Sequence, residues 1–112
     1  MKIDHVQKNN IEVLELSGEL DFHSSPILRE KLQEILKKQT VKLLVNLKKV
    51  SYIDSSGLAT FVETLQKMKR ANGQLVLSDL VPAVRSVFEI AKLDHIFQLS
   101  GSDEEALNLL TK

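Results

Sequence analysis

The stretch YIDSSGLATF, Tyr52 to Phe61, sets an acid, two adjacent hydroxyls and a glycine between an apolar run and a segment of helical spacing. Upstream, VKLLVNL (41–47) is a short continuous run of strand formers, as expected of a strand covered on both faces. Downstream, Leu58, Phe61, Val62, Leu65 and Met68 recur at the spacing of one helix face, and Asn72 with Gly73 stops that helix. Gly57 is too poor a helix former to lie deep inside the helix, so Asp54, Ser55 and Ser56 read as a strand-to-helix loop. In open α/β sheets such loops are where ligands and partners meet the protein.

Working outward, the same alternation continues. KIDHV and IEVLELSG flank a turn at KNN and read as an opening hairpin. SSPILREKLQEILKK then switches period, with Leu28, Leu32, Ile35 and Leu36 on one face; Ser25 is placed to cap and Pro26 to take the first helical position. After the central helix, QLVLSD reads as a buried strand. VPAVRSVFEIAKL reads as a helix with Val84, Val87, Phe88 and Ala91 on its inner face. HIFQLS reads as a last strand, with His95 an ordinary, partly buried histidine at its start. Ser102 followed by Glu105 forms a capping box for a terminal helix. The pattern predicts one α/β domain over 1–112: a mixed, mostly parallel sheet of about five strands, with about four helices and an opening hairpin.

The paired hydroxyls admit two readings. If Ser56 is the N-cap, its oxygen accepts from Leu58 or Ala59 and Gly57 falls in the first turn, which leaves Ser55 without a structural task. An exposed Ser55 beside free N–H groups and the positive end of a helix dipole suits a phosphate. Equally, Asp-Ser-Ser-Gly is simply a good turn and helix start.

Composition narrows the remaining classes. Fifteen basic and fifteen acidic residues cancel, so no net field attracts nucleic acid or an anionic membrane. There is no cysteine, hence neither a disulfide nor a thiolate metal site. Three scattered histidines make no zinc pattern, and none is spaced to serve Ser55 as a base. The loop lacks a Gly-x-Ser-x-Gly elbow, and the glycines never form a phosphate-cradling loop. Lys67, Lys69 and Arg70 match the negative end of a helix dipole. No window is long and apolar enough for a membrane span or a signal peptide. The expectation is a cytoplasmic protein that is not an enzyme and needs no cofactor.

The run VNLKKVSYIDSSGLATFVETLQKMKRANGQLVLSDLVPAVRSVFEIAKLDHIF, with LSGELDFHSSPILREKL before it, resembles the anti-sigma factor antagonists of the STAS family over Ile3 to about Leu110. DSSGL is its most specific part. The resemblance implies that Ser55, directly after the aspartate, is the phosphoacceptor. It implies that the unmodified protein binds an anti-sigma factor that is also a serine kinase, and that a separate serine phosphatase reverses the modification. Asp54, Ser56 and Gly57 would form the phosphate environment. The candidate contact surface takes Leu58 together with Thr60, Glu63, Thr64 and Lys67 on the outward face of the helix, and Asp21 and His23 brought close from GELDFH. Ala59 and Thr60 stand where many members have Gly and an aliphatic residue. The rival from a different class is a non-switching STAS subunit, docked permanently in a transporter or signalling assembly; intact acceptor chemistry at Ser55 favours the switch.

Overall fold

Asn9 and Asn10 both take left-handed backbone, with φ of 49° and 69°. Two such residues in a row make the hairpin turn whose twist matches that of its strands, and asparagine adopts it at low cost. Strand β1 (Lys2–Lys8) therefore folds back antiparallel on β2 (Ile11–Leu20), with Lys8 opposite Ile11. In this computed structural model, which describes residues 1–39 and 42–111, the chain continues through α1 (Ser25–Leu36), β3 (Lys42–Ile53), α2 (Ser55–Arg70), β4 (Gln74–Ser78), α3 (Pro82–Ile90), β5 (Gln98–Ser100) and α4 (Asp103–Leu110). Val41, where the expected central strand begins, lies outside the described residues.

The five strands form one sheet in the order β1-β2-β3-β4-β5, and every pair after the hairpin is parallel. This is the mixed α/β sheet that the alternation of patterns predicts. The continuous apolar run has its reason in the layers. Leu43, Val45 and Leu47 face a core shared with Leu28, Leu32 and Ile35 of α1, Phe61 and Met68 of α2, and Val84 and Phe88 of α3. Leu44 and Val76 face the other side, where Ile11, Val13, Ala106 and Leu110 place α4. Period-2 alternation thus delivers apolar groups to two covered faces.

Strand β3 runs well past that apolar run, to Ile53, and β2 follows it to Leu20 through two register shifts. Gly18 sits at the second shift with φ of 114°, a conformation that L side chains rarely adopt. The long pair carries the ends of β2 and β3 to the heads of α1 and α2.

Helix ends correct several expectations. Ser24, not Ser25, occupies the N-cap position of α1 and makes no side-chain cap bond, because its hydroxyl is committed to the preceding loop. Helix α2 ends where expected: Asn72 is left-handed, its N–H donates to Lys69 O at 3.1 Å, and Gly73 N–H donates to Met68 O at 2.7 Å. Ala91 is the exposed C-cap of α3 rather than part of its buried face, which reduces to Val84 and Phe88 with Val87 half-buried. The last strand is only Gln98–Ser100, and His95 lies in the turn before it with its side chain 90% exposed, not partly buried. Phe97, meeting Phe88 edge to face, is the apolar anchor of that segment. Ser102 caps α4 by accepting from Glu105 N at 3.1 Å, but the reciprocal half of the box is missing: Glu105 reaches Gly101 N, and Ser102 N donates to Ser100 Oγ.

Candidate functional site

Leu20 and Ile53 are register partners, and Asp54 N–H donates to Leu20 O at 3.1 Å. The loop before α2 is thereby fixed against the loop before α1. Helix α2 enters so close to the strand ends that a Cβ on Gly57 would lie 2.8 Å from both Leu20 Cγ and Ile53 Cγ1. The glycine in DSSG is there for that approach.

Asp54 is the N-cap of α2, which corrects the assignment of that role to Ser56. Its Oδ1 accepts from Ser56 N at 2.9 Å and Gly57 N at 3.2 Å, and its carbonyl accepts from Leu58 N at 3.0 Å. A carboxylate is a good acceptor at the positive end of a helix, and with Asp54 on the cap the Ser56 hydroxyl lies inside the first turn. Ser56 Oγ then donates to the same Oδ1 at 2.5 Å and lies 3.2 Å from Ser25 Oγ. These bonds hold the Asp54 carboxyl below the ordinary aspartate range; the Ser56 hydroxyl is the largest cause, and partial burial opposes it.

Ser55 stands apart from this network. It is exposed, and among the described residues nothing hydrogen-bonds its hydroxyl. The N–H groups expected to receive a phosphate are otherwise engaged, since Asp54 already holds those of Ser56, Gly57 and Leu58.

The preceding loop is rigid by its own bonds. Asp21 Oδ1 accepts from His23 N at 2.9 Å and Ser24 N at 3.0 Å, while Ser24 Oγ accepts from Asp21 N at 2.9 Å and donates to Glu19 O at 2.7 Å. The Ser24 amide is the main cause that lowers the Asp21 pKa. Asp21 and His23 do follow the end of β2 that pairs with the end of β3, but they line a hollow of about 460 Å³ with Met1, Gly18, Glu19 and Ser51, and Ser55 is not among its walls. The large apolar residue that this loop presents to solvent, beside exposed His23, is Phe22, 73% exposed. Sequence reasoning passed over it, although an aromatic between Asp21 and His23 belongs to no apolar period, and that was the available signal.

The outward face of α2 is rotated from the expected one. Thr60 and Thr64 are only 6% and 4% exposed, and Leu58 is in the core. The threonine hydroxyls donate back to Ser56 O at 3.0 Å and Thr60 O at 2.8 Å, which lets them be buried without an outside partner. Glu63 and Lys67 are half-buried. Glu63 joins α1 to α2 by accepting from Arg29 at 3.0 Å, also pairs with Lys67 at 3.2 Å, and is more acidic than usual chiefly because of Arg29. The solvent-facing stripe is instead Ser55, Ala59 and Gln66, with half-buried Val62 between them. Beside it, a groove of about 650 Å³ opens between α1 and α2, walled by Phe22, Ser25, Arg29, Ser56, Ala59 and Glu63 among others.

Chemically the site offers a free hydroxyl, a carboxylate more acidic than an ordinary aspartate and a largely uncharged helix stripe. Among the described residues no group of three or more His, Cys, Asp or Glu could hold a metal ion, and no helix is long and apolar enough to cross a membrane.

Comparison with known proteins agrees with this architecture. The STAS domain family model matches residues 2–106. The anti-sigma-B factor antagonist of Bacillus subtilis (strain 168) is 38% identical over 104 residues, which are 93% of this chain and 94% of that protein. The structure of an anti-sigma factor antagonist from Mycobacterium paratuberculosis superposes with a TM-score of 0.92 at 22% identity, covering 99% of this chain and 94% of that one. SpoIIAA superposes in its unphosphorylated form with a TM-score of 0.86 (23% identity, 98% and 96% covered). The phosphorylated form, from Bacillus, gives 0.76 (23% identity, 96% and 98% covered).

Proposed function

This chain belongs to the STAS domain family, and from that premise we propose that it is an anti-sigma factor antagonist switched by phosphorylation of Ser55. The unmodified protein binds an anti-sigma factor and thereby releases a sigma factor. The anti-sigma factor is also the serine kinase that ends the complex, and a serine phosphatase restores it. The chain itself is a regulatory binding protein without catalysis or cofactor.

One observation carries the choice of residue: of the two adjacent hydroxyls, only that of Ser55 is exposed and unbonded, while that of Ser56 is held between Asp54 and Ser25. A kinase can take the proton of a free hydroxyl, whereas Ser56 must first give up a charge-assisted bond. Ser55 also heads the exposed stripe of α2, so a modification there lies on any surface that docks along Ala59, Val62 and Gln66.

The charge arithmetic supplies the switch. Phosphate adds roughly −1.5 to −2 charges beside Asp54, which is already ionised and has its helix N–H groups occupied. Burying that charge against a partner is costly unless the partner offers cations of its own, so the complex dissociates. A permanently docked subunit has no use for a free hydroxyl at this point.

Incubation with the anti-sigma kinase of the source organism and ATP, followed by mass mapping and a binding measurement, tests the reading. Phosphate on Ser55 and loss of binding are expected. Undiminished labelling of a Ser55→Ala protein, or equal affinity of the phosphorylated form, overturns it.

A further inference from the structure

Ser25 lies in the first turn of α1, only 4% exposed, with its hydroxyl 3.2 Å from Ser56 Oγ. An ionised carboxylate only accepts, so the Ser56 hydrogen points at Asp54 Oδ1, 2.5 Å away. What Ser56 turns toward Ser25 is therefore a lone pair, and Ser25 is the donor. A directed chain runs from α1 to the cap of α2: Ser25 to Ser56 to Asp54. It ends on an oxygen that also accepts from the Ser56 and Gly57 N–H groups.

We propose that Ser25 is a positioning residue of the switch: by donating to Ser56 it holds Asp54 on the cap of α2 when Ser55 carries phosphate, and so keeps the phosphate facing outward. The inference rests on Ser55 being the acceptor. A dianion on Ser55 repels the neighbouring carboxylate. If Asp54 yields, by taking a proton or by swinging away, the N–H groups of Ser56 and Gly57 are freed and the phosphate can bond them itself. A phosphate drawn into the helix terminus is partly neutralised there and repels a partner less. Hydrogen bonds in series polarise one another, so the Ser25 donor strengthens the Ser56 to Asp54 bond and resists that exchange. Among the described residues the other titratable or charged groups around this end include the Met1 amine, Glu19, Asp21 and His23 about the β2 end, Tyr52 on β3, Glu30 on α1, and the Arg29–Glu63 pair across α1 and α2.

The test uses protein with phosphoserine installed at position 55 during translation, so that no kinase is involved. The Asp54 carboxyl is titrated by carbon NMR, and the Ser56 and Gly57 amides are followed. In the phosphoprotein, Ser25→Ala is expected to raise the proton affinity of Asp54 roughly twofold to fourfold and to shift both amides downfield as they pass to phosphate; Ser25→Thr restores the original behaviour. An Asp54 titration and amide shifts unchanged by Ser25→Ala overturn the proposal. That outcome alongside normal kinase labelling of Ser55 rejects Ser25 alone, whereas an intact relay in a protein that no kinase labels at Ser55 rejects the switch and leaves the relay standing. If Ser25→Ala does not fold, the wild-type comparison decides: phosphate at Ser55 must leave the Ser56 and Gly57 amides close to their unmodified positions.

Discussion

Asp54 accepts the Ser56 hydroxyl at 2.5 Å and the Ser56 amide at 2.9 Å, so Ser56 is a donor to the cap of α2 and not the cap itself. The division of labour between the two serines follows from this pair. Ser56 is committed to the helix start, and Ser55 is left free at its edge.

Removing the cap is the first test of that division. Asp54→Ala is expected to cost about 0.5–2 kcal/mol of stability, read as a lower urea midpoint at unchanged slope. Ser56→Ala leaves the amide bonds to Asp54 in place and should cost less; Ser55→Ala should be close to neutral. A larger loss for Ser56→Ala than for Asp54→Ala would return the cap to Ser56.

Gly57→Ala sets two effects against each other. Alanine improves helix propensity by about 1 kcal/mol, but its Cβ would sit 2.8 Å from Leu20 Cγ and Ile53 Cγ1, inner side-chain carbons of two residues buried in the core. Overpacking of this kind costs about 1–3 kcal/mol, so the variant is expected to be less stable on balance. A raised thermal midpoint would show that the strand ends give way freely.

Acid should weaken the α2 terminus in a defined direction. The folded pKa of Asp54 lies below the ordinary aspartate value. The folded state therefore binds its proton less readily than the unfolded chain does. The resulting stabilisation is complete above the unfolded value and is lost as pH falls through the folded one. Asp21 acts with the same sign, its pKa being lowered chiefly by the Ser24 amide. Urea midpoints measured from pH 5 downward should fall less steeply for Asp54→Asn than for the wild type; parallel curves would remove Asp54 from the acid response.

The rotated face of α2 separates binding from stability. Ala59→Arg projects from the exposed stripe beside Ser55 and should weaken binding of the anti-sigma factor by tenfold or more, the scale of about 1.4 kcal/mol, with little change in thermal midpoint. Thr64→Ala, at a buried position, should lower the midpoint and leave affinity nearly untouched. Calorimetry with the two effects exchanged would put the contact surface back on the threonine side.

The order of elements, their types and the sheet were legible because each rests on local pattern. Period-2 and period-3.6 apolar spacing, the asparagine turn at Asn9 and Asn10, and the Asn72–Gly73 stop each express physics within a few residues of themselves. The apolar run of β3 announced two covered faces for the same reason, and the helix start near DSSG followed from what lay on either side of it, although the expected loop of Asp54, Ser55 and Ser56 shrinks to Asp54 alone, since α2 already begins at Ser55. His95 and Ala91 were misplaced because one histidine and one alanine at an element's edge carry no periodic signal, and the buried aromatic of that segment is Phe97, two positions beyond His95.

Tertiary structure alone decided how α2 is turned about its axis and which residue caps it. The sequence determined that one face of α2 is apolar. Threonines at the border of such a face can lie on either side, since their hydroxyls satisfy themselves on Ser56 and Thr60 of the same helix. Packing against α1 and the sheet placed Thr60 and Thr64 inside and brought Ser55, Ala59 and Gln66 out. In the same way, Asp54 and Ser56 are both sound caps by residue type. The choice fell to the acid because the close approach of Gly57 to Leu20 and Ile53, together with Ser25 arriving from α1, turns the serine inward and leaves the carboxylate at the helix end. Those contacts join residues that are neighbours only in space, so no reading of adjacent positions could supply them.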